Sequence, residues 1–155
     1  MYTLIDIIDK FIDLEKQAKE IYRKVAAIPE TPLNIKSVAK VLQLEEERHV
    51  VAYEKIKKEL QQIENLVMID FIAYDKTSSL FNEFKTRFFV PNPRAPQELI
   101  QYAYAMKLEH KALAIDIQGR LLERESENGE YIEKILGQVI EEEERAIRDL
   151  KQFLQ

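Results

Sequence analysis

The stretch Leu42-Gln43-Leu44-Glu45-Glu46-Glu47-Arg48-His49-Val50-Val51-Ala52-Tyr53 decides how the chain is read. Leu42, Glu46, His49 and Tyr53 follow one another by steps of four, three and four, the spacing that lines up one face of a helix. Ile56, Leu60 and Ile63 carry the same face onward. A carboxylate and an imidazole therefore interrupt a seam that otherwise reads as helix core. Three other stretches give seams of the same period, each with a carboxylate near its middle. The first is Leu4, Ile8, Phe11, Glu15, Ala18, Tyr22 and Val25. The next is Leu99, Tyr102, Met106, Glu109, Leu113 and Asp116, and the last is Ile132, Leu136, Val139, Glu143, Ala146, Leu150 and Phe153.

Helix breakers set the boundaries. Pro29 and Pro32 mark one connection, Pro91, Pro93 and Pro96 a second, and Ser126–Gly129 a short polar turn. Four long helices are predicted, over Leu4–Ala27, Asn34–Ile63, Ala95–Glu123 and Glu130–Leu154. Asn34 is expected to cap the second, and Pro96 suits the first turn of the third, where its missing N–H is no loss. The short first and last connections make two antiparallel hairpins. The crossover Glu64–Asn92 holds Phe71, Tyr74, Phe81, Phe84, Phe88 and Phe89, so one or two short helices are expected to pack over the rest. The expected fold class is all-α: an antiparallel four-helix bundle, two hairpins joined by a long crossover, as one domain over residues 1–155.

Composition removes several function classes. With no cysteine, disulfides, thiolate metal sites and cysteine nucleophiles are excluded. Only 3 Gly and 5 Pro leave little room for a β-sandwich or a glycine-rich phosphate loop. A formal net charge of -5 argues against sequence-independent nucleic-acid binding. No apolar run is long enough to span a bilayer. Met1–Ile12 contains Asp6, Asp9 and Lys10, so no secretory core forms there. No membrane partner is expected, and a cytoplasmic location is.

Carboxylates inside a bundle need a remedy. An unpaired buried carboxylate is costly, and two like charges about 5 Å apart repel by roughly 3 kcal/mol at an effective dielectric near 20. Either protons or cations must resolve this. His49 favours a cation, because Glu46-x-x-His49 lets one helix give an oxygen and a nitrogen to one metal. The candidate metal ligands are Glu15, Glu46, His49, Glu109 and Glu143. The two halves also align as a repeat, Glu46-Glu47-Arg48-His49 against Glu143-Glu144-Arg145-Ala146.

On these residues the chain resembles the ferritin-like superfamily, and its rubrerythrin branch in particular. The matching strings are Glu15–Tyr22, Glu45–His49, Ala105–Ala112 and Ile140–Leu150. The resemblance implies a non-haem centre of two irons, or iron with manganese, and a metal-dependent oxidoreductase acting on peroxide or oxygen. Glu46 and Glu143 would bridge the metals, with Glu15, Glu109 and His49 as terminal ligands. Tyr22 resembles the tyrosine beside the cluster and would act in catalysis from behind the ligands. Ala146 stands where the second histidine is expected, so the second metal position lacks its nitrogen. His110 neighbours Glu109 but points about 100° away on a helix, a poor substitute. Asp116 could support Tyr22. Because the chain holds no cysteine, the implied electron donor is a separate protein, and a homodimer is the expected assembly. Two alternatives stand beside this reading: an iron-binding or storage protein, and a non-catalytic helical interaction module with a decayed metal site.

Overall fold

The computed structural model describes residues 2–63, 67–124 and 127–154. Five helices carry the chain: α1 (Leu4–Ala27), α2 (Leu33–Gln61), α3 (Phe71–Lys85), α4 (Pro96–Arg124) and α5 (Gly129–Gln152). The class is all-α. A two-residue strand β1 (Tyr2–Thr3) pairs antiparallel with β2 (Met68–Ile69), in the register Tyr2 to Ile69 and Thr3 to Met68. This pairing was not foreseen from the sequence, and two residues are too few for a period-two pattern to register.

Local chemistry accounts for the ends. The Asp6 carboxylate accepts from the Thr3 backbone N–H at 2.8 Å and from its hydroxyl at 3.3 Å, closing the start of α1. Pro32, not Asn34, holds the cap position of α2; the Asn34 side chain lies one step inside and accepts from the Ile35 N–H at 2.9 Å. Pro96 begins α4 as expected. Asp70 caps α3 by accepting from the Ala73 N–H at 3.1 Å.

α1 packs along α2 and α4 along α5, while α2 also meets α4 and α5. Ion pairs fix the directions. Asp9 meets Lys57 and Lys19 meets Glu47, so α1 and α2 run antiparallel. Gln118 reaches Glu133 and Lys111 reaches Glu144, so α4 and α5 do too. α3 packs on α1 and α4. Its Phe81 meets Phe11 edge-on at 4.9 Å between ring centroids, and its Phe84 lies 5.3 Å from the His110 ring. The crossover thus contributes one helix among its described residues; positions 64–66, and Ser126 of the polar turn, lie outside them. Among the described residues no helix is long and apolar enough to cross a membrane.

The core falls into two apolar clusters. One gathers Leu4–Leu14 of α1, Tyr53–Leu60 of α2, Leu113–Leu121 of α4 and Ile132–Val139 of α5. The other gathers Ala18–Val25, Ile35–Leu42 and Leu99–Met106, with Leu150 against it. On every long helix the gap between the clusters falls at the polar interruption: Glu15, Glu46 with His49, Lys107 with His110, and Glu143. A buried polar layer divides the apolar interior.

One helix departs from its expected seam. Glu109 is not in the interior; its side chain is 51% exposed and lies 3.6 Å from Arg87. Asp116 is also exposed and pairs with Arg120 at 3.1 Å, so it supports nothing in the interior. The face of α4 that turns inward runs Leu99, Ala103, Met106, Lys107, His110, Leu113, Ala114, Ile117 and Leu121. The choice of Glu109 placed the seam one residue off.

Candidate metal centre

Three of the expected carboxylates do converge. Glu15 from α1, Glu46 from α2 and Glu143 from α5 are all buried, as is His49 of α2. The fourth helix brings a lysine and a histidine in place of Glu109. Lys107 is only 1% exposed, and its Nζ donates to Glu15 Oε2 at 2.6 Å and to Glu46 Oε2 at 2.9 Å. It also lies 3.6 Å from Glu143 Oε2. His110 is 2% exposed; its Nδ1 is 3.5 Å from Glu15 Oε1 and 3.9 Å from Glu143 Oε2. Two registers of α4 share the three-and-four spacing, and the structure takes the one through His110. A signal was present: Lys107-x-x-His110 repeats the spacing of Glu46-x-x-His49, and the register through His110 keeps apolar residues out to Ile117 and Leu121.

The oxygens of each carboxylate have separate tasks. Glu15 gives Oε2 to Lys107 and turns Oε1 to His110. Glu143 accepts from the Tyr53 hydroxyl at Oε1, at 2.5 Å, while its Oε2 has no hydrogen-bond partner. His110 Nδ1 has none either. The Tyr22 hydroxyl is buried and equally unpartnered, so it contacts no ligand through a hydrogen bond. His49 Nδ1, also without a hydrogen-bond partner, lies 4.0 Å from Glu142 Oε2. Ala146 is buried beside these groups with no donor to offer.

Electrostatics follow from burial and the ammonium. Burial works against the charged form of Glu15, but the charge of Lys107 foremost, with His110 adding to it, holds its pKa well below the usual carboxylate value. Burial raises Glu46; Lys107 returns part of that rise, and the charge of Glu15 adds to it. Burial and Glu15 likewise raise Glu143. The surrounding carboxylates overcome desolvation at Lys107 and raise its pKa, so the ammonium keeps its proton. Both histidines are lowered by burial, His49 to about 4.

Chemically, the layer could hold a metal ion. Glu15, His110 and Glu143 each present a donor atom, and these atoms lie within 4.8 Å of one another, close enough to share one ion. The two-metal set expected from the sequence is not assembled as drawn, since Glu109 is on the surface and a protonated amine occupies the space between three carboxylates. From outside, a groove of about 530 Å³ between α2, α4 and α5 reaches Glu46, His49 and Lys107, with Ala103 and Ala146 in its wall. Compared with known proteins, the chain matches no family model, no curated protein and no solved structure.

Proposed function

We propose that the chain is a ferritin-like antiparallel four-helix bundle, resembling rubrerythrins, whose buried carboxylate–histidine layer binds a transition metal. The observation that carries the reading is the convergence of Glu15, Glu46, Glu143, His49 and His110 in one layer between two apolar clusters. A donor set of imidazole and carboxylate suits iron, manganese or zinc better than calcium or magnesium. Bound iron or manganese would supply one-electron redox chemistry toward peroxide or oxygen. The protein's own groups then have defined tasks. Tyr53 fixes the orientation of Glu143 by its hydrogen bond, as partners behind metal ligands do. The apolar clusters above and below keep bulk water out. The groove beside Ala146 gives a small oxidant a way in.

A second reading has its own observation. The ion pairs of Lys107 with Glu15 and Glu46 already give the carboxylates a cation, which suits a metal-free helical interaction module. Elemental analysis of the protein, as purified and after anaerobic loading with ferrous iron, separates the two. Bound metal with a raised melting temperature supports the first reading. No metal and an unchanged melting temperature select the second.

A further inference from the structure

We infer that the layer holds one divalent ion and one ammonium, with Lys107 as a built-in second cation, and that the ion is ligated by Glu15, His110 and Glu143. The inference rests on the metal-binding reading above and sharpens it. Three buried carboxylates and one ammonium leave a formal charge of -2, which a single divalent ion cancels. Two divalent ions beside Lys107 would leave the same buried space at +2.

The free atoms point to where the ion sits. Glu46 Oε2 and Glu15 Oε2 are engaged by Lys107, and Glu143 Oε1 by Tyr53. Of the atoms that remain, Glu15 Oε1 and Glu143 Oε2 lie against His110 Nδ1, and these three residues offer donor atoms within 4.8 Å of one another on side chains at least 98% buried. Two of these atoms, on His110 and Glu143, have no hydrogen-bond partner, an arrangement that carries an energetic cost unless something fills the space they face. Glu15 Oε1 and Glu143 Oε2 lie 3.5 and 3.9 Å from His110 Nδ1, close to the spacing of about 3.4 Å between tetrahedral ligands held by bonds of about 2.1 Å. His49 falls outside this set, since the donor atoms within 4.8 Å of one another come from Glu15, His110 and Glu143. A nitrogen and two carboxylate oxygens leave further coordination positions open to water or substrate.

The test is metal stoichiometry on the intact protein, by anaerobic equilibrium dialysis against Zn²⁺ and, in parallel, Co²⁺, whose visible spectrum reports ligand number. One ion per chain is expected, with its loss in His110→Gln and its retention in Glu109→Gln. Lys107→Glu removes the ammonium and adds a carboxylate, and is expected to raise the count to two. Two ions in the unaltered protein would overturn the inference while leaving the metal-binding reading in place; none would overturn both. Loss of the ion in His49→Gln but not in His110→Gln would put it at Glu46 and His49 and overturn the ligand assignment. The unaltered protein and His110→Gln decide the matter even if Lys107→Glu fails to fold.

Discussion

The Tyr53 hydroxyl on α2 donates to Glu143 Oε1 on α5 at 2.5 Å, a link between the two helical hairpins made wholly inside the interior. At that length it is at the short end of O–H···O hydrogen bonds. Tyr22, at the same depth on α1, has no hydrogen-bond partner for its hydroxyl. The two tyrosines should therefore respond oppositely to the same change. Tyr53→Phe strips a buried carboxyl of a partner and should cost about 1–3 kcal/mol in urea unfolding. Tyr22→Phe removes an unsatisfied polar atom and should be neutral or slightly stabilising. Equal losses in both would mean that the Tyr53 bond has no special weight.

Lys107→Met keeps much of the side-chain volume but leaves Glu15, Glu46 and Glu143 without their cation. Breaking one partner out of a buried ion pair costs about 3–5 kcal/mol. The variant should lose that much at pH 7 in chelator. It should recover part of it near pH 5, where the carboxyls that lost their counter-ion take up protons. A loss that does not change with pH would point to packing instead of charge.

His49 sets an acid limit on the metal-free protein. Its folded pKa, about 4, is depressed below the ordinary 6.5 by burial and by Lys107. The folded form therefore binds fewer protons than the unfolded one across that window, and stability falls as pH drops from about 6.5 toward 4. The slope for one group approaches about 1.4 kcal/mol per pH unit. Comparing urea unfolding of the protein with His49→Gln in chelator isolates the contribution, since the variant should have the shallower slope. Identical slopes would assign the acid sensitivity to other groups.

Glu46 and Glu143 act at the other end. Both are raised well above the usual carboxylate value, by burial first and by the charge of Glu15 next. A raised carboxyl stabilises the fold below its unfolded pKa, and that stability is lost as pH rises through the folded pKa. Glu143→Gln keeps the shape of the neutral acid without its titration, so the metal-free variant should lose less stability than the parent on going to alkaline pH. A steeper alkaline loss in the variant would contradict the raised assignment.

Glu109→Ala tests the register of α4. A half-exposed carboxylate facing Arg87 should change stability by no more than about 0.5 kcal/mol. Glu15→Ala, which leaves the Lys107 ammonium buried with one partner fewer, should cost several times more. Comparable losses would put Glu109 back inside.

Much of this protein is written in its periodicity. Residues four and three apart must share a helix face, so the inward faces of α1, α2 and α5, and the burial of Glu15, Glu46, His49 and Glu143 follow from spacing, while the proline and glycine breakers place the ends of the long helices. The α4 face did not. Glu109 and His110 are neighbours in sequence, and seams through either satisfy the same steps; only packing against α2, α3 and α5 selects the one that buries His110 and turns Glu109 toward Arg87. The same choice brings Lys107 among the carboxylates of three other segments, 92 residues from Glu15 and 61 from Glu46 along the chain. One helix fixes which of its residues lie together. Which face lies inward, and which charges meet there, is settled by the partners that exclude water from it.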